Sequence, residues 1–175
     1  MSAAIRVIAA QGLGAPTAMI AKEAGVSNGS LFTYFETKAD LLNQLYVELK
    51  AEIAAAALDG LPADDNIRQQ MLHMWLRWLR WATSCPEKRR TLAHLDVSAD
   101  ITLESHQIAS RTGAGIVKLL ERSRENGPMS DAPLRFVAAL MSALADTTID
   151  FMIRNPANAD KHAMAAFEAL WRIVA

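Results

Sequence analysis

Ser27, Asn28, Ser30, Thr33 and Tyr34 crowd five hydrogen-bonding side chains into eight residues. Read as a short helix capped by Ser27, the segment has an exposed face carrying Asn28, Ser30, Thr33 and Tyr34. Hydroxyls, an amide and a phenol supply donors and acceptors, but no set of metal ligands or acid–base partners. The chemistry on offer is recognition. A helix presented by its N-terminal end, with such groups exposed, is what reading of the DNA major groove requires.

The elements around these residues must hold them at that angle. In "TAMIAKEAGVSNGSLFTYF", Thr17 to Phe35, two helix-like segments are joined through Gly25-Val26. Ile20, Ala21, Ala24, Val26 and Leu31 form the apolar or small positions. Ala21 is small, as a closely crossing second helix demands. Gly25 can take the positive φ that a sharp inter-helix turn needs, and Val26 and Leu31 are expected to anchor the second helix on the first. This is a helix-turn-helix pattern, although the same spacing also suits a tight αα-corner in a helical bundle.

The longer stretch "MIAKEAGVSNGSLFTYFETKADLL" resembles the N-terminal DNA-binding domain of the tetracycline-repressor (TetR) family of transcriptional regulators, over about the first 45 residues. The family pattern "IAxxAGVSxGxLYxYFxxKxxLL" is followed almost position by position, with Phe32 where tyrosine is usual and Asn28 where lysine is frequent. The resemblance implies that Thr17 contacts a phosphate through its hydroxyl and backbone N–H. It places Ser27, Asn28 and Ser30 at the groove end of the recognition helix, with Gly29 allowing close backbone approach. Thr33 and Tyr34 would reach bases or phosphates, and Lys38 would pair with a phosphate. Leu31, Phe32 and Phe35 are expected in the small domain's core. The family usually carries a basic arm before its first helix, and this chain begins without one.

Helix signals recur along all 175 residues, and strand signals are nearly absent. Nine helices are expected, and the fold class is all-α. The first runs from Ser2 to Gln11, the second opens on Thr17 as its cap, and the third runs from Ser27 to about Phe35. A long fourth follows the capping box of Thr37 and Asp40. The fifth spans about Asp65 to Ala82, the sixth opens at Pro86 and the seventh covers Thr102 to Asn126. Asp131 is expected to cap the eighth, and the ninth fills the C-terminus. The expected domains are residues 1–46, for DNA binding, and 47–175, for ligand binding and dimerisation.

Hydrophobic residues are 51% and charged residues 21% of the chain, which excludes disordered and fibrous classes. A net charge of −1 gives no global pull toward nucleic acid or anionic membrane. Through Lys50, the cations Arg6, Lys22, Lys38 and Lys50 balance the anions Glu23, Glu36, Asp40 and Glu48. One cysteine excludes an internal disulfide framework. No signal peptide is evident, and the strongly apolar run Phe136 to Ala145 is about half a membrane span. A cytoplasmic protein with no membrane partner is expected.

The fifth segment, "IRQQMLHMWLRWLRWA", is apolar around most of its circumference, as in a buried central helix. Met71, Trp75, Trp78 and Ala82 share a face that either lines an effector cavity or packs as plain core. Gln69, His73, Arg77 and Arg80 form its polar stripe, expected to be solvated. The eighth segment sets small residues (Ala138, Ala139, Ser142, Ala145) between two apolar faces, with Asp146 expected as a hydrogen-bonded core acid. The ninth offers Met164, Phe167, Leu170, Trp171 and Val174. In the resembled family the last two helices, here the eighth and ninth, build a four-helix homodimer interface. The four histidines lack ligand spacing, Cys85 has no recognisable base partner, and Gly113-Ala114-Gly115 reads as a helix irregularity. No cofactor or metal is expected, and no enzyme. Together these point to a homodimeric transcriptional repressor that binds an inverted-repeat double-stranded DNA operator and is released from it by a small apolar or aromatic effector. A dimeric small-molecule binding protein with weak or lost DNA binding is the alternative.

Overall fold

The computed structural model describes residues 1–63 and 66–175, so the expected opening of the fifth helix at Asp65 lies outside the described residues. Among the described residues there are ten α-helices, one short 3-10 turn and no strand. The chain divides into two compact units, Met1–Glu52 with Cys85–Thr112, and Ile53–Ser84 with Gly113–Ala175.

The first unit contains α1 (Ser2–Gln11), α2 (Thr17–Glu23), α3 (Asn28–Leu31), the leading part of α4 (Lys38–Leu58), α6 (Pro86–Asp96) and α7 (Leu103–Thr112). Its core gathers Ile5, Ile8, Ile20, Leu31, Leu41, Leu42, Leu45, Leu49, Leu92 and Leu95, all buried. Helix α1 packs on both α2 and α6. The buried Thr91 hydroxyl on α6 donates to the carbonyl of Ile5 at 3.1 Å, satisfying a polar group that burial would otherwise penalise. Asn43 on α4 works harder. Its amide donates to the carbonyls of Ala39 and Asp100, and its oxygen accepts from the N–H and hydroxyl of Thr102. One side chain thereby pins the α6–α7 connection to α4.

Tyr46, buried on the same helix, lies edge-on to His106, with its hydroxyl 3.0 Å from His106 Nδ1. Burial pushes the phenol from 10.0 up to about 12, and the charge of Asp96 adds to the rise. The neutral phenol is the form the fold holds. Its contribution to stability is therefore complete below pH 10 and is lost as pH rises through about 12. In a Tyr34→Phe variant, which leaves Tyr46 as the only tyrosine, phenolate absorbance should appear near pH 12 and accompany loss of helix. Titration near pH 10 in the folded protein would contradict it.

The second unit holds the rest of α4, α5 (Ile67–Ser84), α8 (Ala114–Arg124), α9 (Leu134–Arg154) and α10 (Ala159–Val174). Helix α5 is its centre, packing on α8, α9 and α10, while α9 and α10 pack on each other. The polar stripe of α5 is only partly solvated. His73 meets the carbonyl of Asp59, and Arg77 pairs with the Asp59 carboxylate and donates to the carbonyl of Ala56, whereas Gln69 and Arg80 are exposed. Ala56 is in the last turn of α4 and Asp59 follows its last residue, where orphan acceptors need donors.

Several local expectations are corrected. The helix expected over Thr102–Asn126 is broken at Gly113 into α7 and α8. A β-carbon at Gly115 would stand 2.6 Å from Leu58 Cδ1, so glycine there admits a close approach of α4. Thr17 is not a cap but the first helical residue, because Pro16, extended at φ −64°, takes the cap position. Pro133 does the same at α9 in place of Asp131. Asp146 is exposed rather than in the core, and Met164 is exposed rather than part of the buried stripe.

Candidate nucleic-acid interface

Helix α2 ends in a Schellman turn. Gly25 sits at φ 71°, its N–H donates to Lys22 O at 3.1 Å, and the Val26 N–H donates to Ala21 O at 3.0 Å. Ala21 is buried beneath the turn, as expected of a small crossing residue. Val26 is 43% exposed and Phe32 41% exposed, so neither is the anchor or core residue expected. Leu31 is the buried anchor of α3, with Phe35 half-buried.

Helix α3 is a single turn, Asn28–Leu31, shorter than the Ser27–Phe35 expected. Beyond it the bonds tighten, Thr33 N–H to Ser30 O and Tyr34 N–H to Leu31 O, and β-branched and aromatic residues do little to prolong a helix. Three hydroxyls hold the turn together. Ser27 Oγ accepts from the Ser30 N–H at 3.0 Å and lies 2.9 Å from Ser30 Oγ, while Thr33 Oγ1 donates to Ser30 O at 2.7 Å. Asn28 and Gly29 are exposed, and Tyr34 is 77% exposed. Thr17 is half-buried at the start of α2. The structure thus brings Ser27, Asn28, Gly29, Ser30, Thr33 and Tyr34 onto one short segment, with Thr17 and Lys38 at the starts of α2 and α4.

Gly29 has no internal reason to be glycine. A β-carbon there would meet only Ser27 Oγ, at an ordinary 3.7 Å. Glycine in a helix costs about 1 kcal/mol relative to alanine.

Residues 1–45 match the family model described as bacterial regulatory proteins, tetR family. The match covers the N-terminal segment alone. Solved structures extend the likeness of fold to nearly its full length. A putative tetR family transcription regulator from Shewanella sp. PV-4 is 24% identical with a TM-score of 0.86, covering 97% of this chain and 93% of that one. A TetR family transcription regulator from Marinobacter aquaeolei VT8 gives 23%, 0.85, 97% and 90%. The transcriptional regulator FadR from Bacillus subtilis, in complex with stearoyl-CoA, gives 19%, 0.72, 97% and 94%. The fold is therefore that of the tetR-family transcription regulators, with an N-terminal helix-turn-helix domain.

Three of the four cations in the first 50 residues have internal partners. Arg6 pairs with Glu23 at 2.6 Å, Lys50 pairs with Asp96 at 2.6 Å, and Lys38 donates to two backbone carbonyls. Lys22 is exposed on α2. These pairings were invisible in the sequence, since charge counts do not show which cations are matched.

Of the residues expected at an effector, Met71 and Trp75 are buried and Trp78 is half-buried, with the two indoles edge to face at 6.1 Å between ring centroids. Trp75 Nε1 donates to Ala163 O in α10 at 3.0 Å. Two open clefts lie in the first unit instead. One of about 710 Å³ is lined by Asp40, Asn43, Gln44, Thr102, Glu104 and Ser105 among others, and one of about 510 Å³ lies between α1 and α2. No cluster of three or more histidine, cysteine or acidic side chains suited to a metal occurs among the described residues.

Proposed function

We propose that this protein is a DNA-binding transcriptional repressor, not an enzyme, in which residues 1–46 bind an inverted-repeat operator and residues 47–175 bind an effector and a second copy of the chain. The observation that carries this reading is the exposed α3 turn, where Gly29 leaves room for outside approach and Asn28 and Tyr34 stand in solvent. The proposed DNA-facing set is Thr17, Ser27, Asn28, Gly29, Ser30, Thr33 and Tyr34, whereas Lys38, expected to pair with a phosphate, donates to two backbone carbonyls. Asn28 is the best suited to base readout, because an amide can pair with two edge groups of one base at once.

The test is a gel shift with a DNA fragment from directly upstream of the protein's own coding sequence, set against an unrelated fragment. Asn28→Ala should cost about 1–3 kcal/mol on the specific fragment and little on the unrelated one, thereby relaxing sequence preference. Equal affinity of the wild type for both fragments at all salt concentrations would favour the alternative, a small-molecule binding protein with weak or lost DNA binding.

For the effector we propose an apolar or aromatic molecule beside Met71, Trp75 and Trp78. A protein of similar fold in complex with stearoyl-CoA supports an apolar ligand. Helix α4 runs from Lys38 to Leu58 without glycine or proline and contributes residues to both units, so it is the proposed carrier of the signal.

A homodimer through α9 and α10 is the proposed assembly. Helix α9 is long and apolar enough to cross a membrane, yet only 28% of its most apolar window is buried within the chain. Asp146 and Asp150 interrupt it, and carboxylates inside a bilayer are costly. Another protein surface is the better partner for Phe136, Phe151 and Ile153, each about half exposed. A cytoplasmic location follows from DNA as partner.

A further inference from the structure

Lys38 opens α4 at a place where a phosphate partner is expected, but its ammonium is already engaged. Nζ donates to Leu13 O at 2.5 Å and to Ala15 O at 2.7 Å. Both carbonyls belong to the connection between α1 and α2. That connection begins with Gly12 at φ 75°, buries Ala15, and ends at Pro16, whose extended backbone sets Thr17 as the first residue of α2. The start of α4 is itself firmly held. Thr37 Oγ1 accepts from the Asp40 N–H at 3.0 Å, and the Asp40 carboxylate accepts from the Glu36 N–H at 3.2 Å. Lys38 therefore ties a capped helix start to the loop that decides where α2 begins. Hydrogen bonds from a charged donor are stronger than neutral ones, and the half-buried setting of this amine limits competition from water.

We propose that Lys38 is a positioning residue, a tether that fixes the start of α2 against the first turn of α4, and that DNA binding depends on this tether rather than on a Lys38–phosphate charge contact. The effect on affinity rests on the DNA-binding reading above; the tether itself does not.

Two measurements on the full chain separate the possibilities. Amide hydrogen exchange without DNA reports the loop, through the Ala15 N–H, which donates to Gly12 O, and the Met19 N–H, which donates to Pro16 O. Affinity for the upstream fragment across a salt series reports phosphate contacts. Lys38→Met keeps the aliphatic stem and removes the ammonium. It should speed exchange at Ala15 and Met19 about tenfold and weaken DNA binding about tenfold at every salt concentration, the scale of one charged hydrogen bond. The slope of log affinity against log salt should stay parallel to that of the wild type. A phosphate contact predicts the reverse, unchanged exchange and a slope shallower by about 0.9, and that result overturns the proposal. Lys38→Arg retains the charge but replaces a compact ammonium with a longer planar group. Full affinity in that variant with the loop still unprotected would also overturn it. Should the wild type bind no DNA at all, the DNA-binding reading fails, and exchange alone upholds or overturns the tether.

Discussion

Trp75→Ala should destabilise the fold by about 3–5 kcal/mol, read as a shift of the denaturant midpoint. Trp75 has no exposed surface, and it lies on α5, which packs against both α9 and α10. Its truncation removes the largest fully buried side chain of the unit and leaves a cavity that neighbouring helices cannot close without breaking their own contacts. Trp75→Phe separates the ring from its N–H. It forfeits the bond to Ala163 O but keeps most of the packing, so about 1 kcal/mol of its cost belongs to the hydrogen bond. Trp78, half-buried beside it, should cost less when truncated, and its truncation should impair the response to an effector without weakening DNA binding. A Trp75→Ala loss under about 1 kcal/mol would mean that the indole is not part of the packed core of α5.

Ala139→Asp should raise the dimer dissociation constant more than a hundredfold, a change of about 2.7 kcal/mol, within the cost of burying an unpaired charge. Ala139 is exposed on α9, as is Ser142, among apolar residues that include Phe136. Operator affinity should fall with dimerisation, because two half-sites one helical turn apart can be read together only by two linked copies. Ala93→Asp on the exposed face of α6 serves as the control and should change neither. Sedimentation of both variants as the same species would remove α9 from the interface.

The helix-turn-helix was legible because its constraints are local. Gly25 must turn with positive φ, Ala21 must be small, and Ser27 must supply an oxygen to the Ser30 N–H three residues on. Each requirement selects a residue type at a fixed offset. The break at Gly113 was less legible, since a lone glycine among helix formers is tolerated, and here it separates α7 and α8, which belong to different units. Val26, just past the Schellman turn, and Phe32, at the C-terminal cap of α3, misled because apolar character alone does not say which way a side chain faces at a helix end. The partners of Lys38 were out of reach for another reason. They are backbone carbonyls, and every residue carries one, so no pattern of side chains announces them. Asn43 left a fainter trace, as an amide set between the buried Leu42 and Leu45.

The first unit is stitched from two stretches of chain, and its second stretch supplies α6, against which α1 rests and whose Thr91 bonds Ile5. During synthesis α1 can pack on α2 early but waits for Cys85–Thr112 before it gains α6, and Ile53–Ser84 must emerge in between. The same arrangement governs recombination between relatives. A chimera that exchanges only the leading 46 residues sets a foreign α1 on the resident α6 and asks Thr91 to find its carbonyl in a new backbone. A graft that carries 85–112 along with 1–52 keeps that contact native, so the seams for exchanging a reading head fall after Glu52, Ser84 and Thr112.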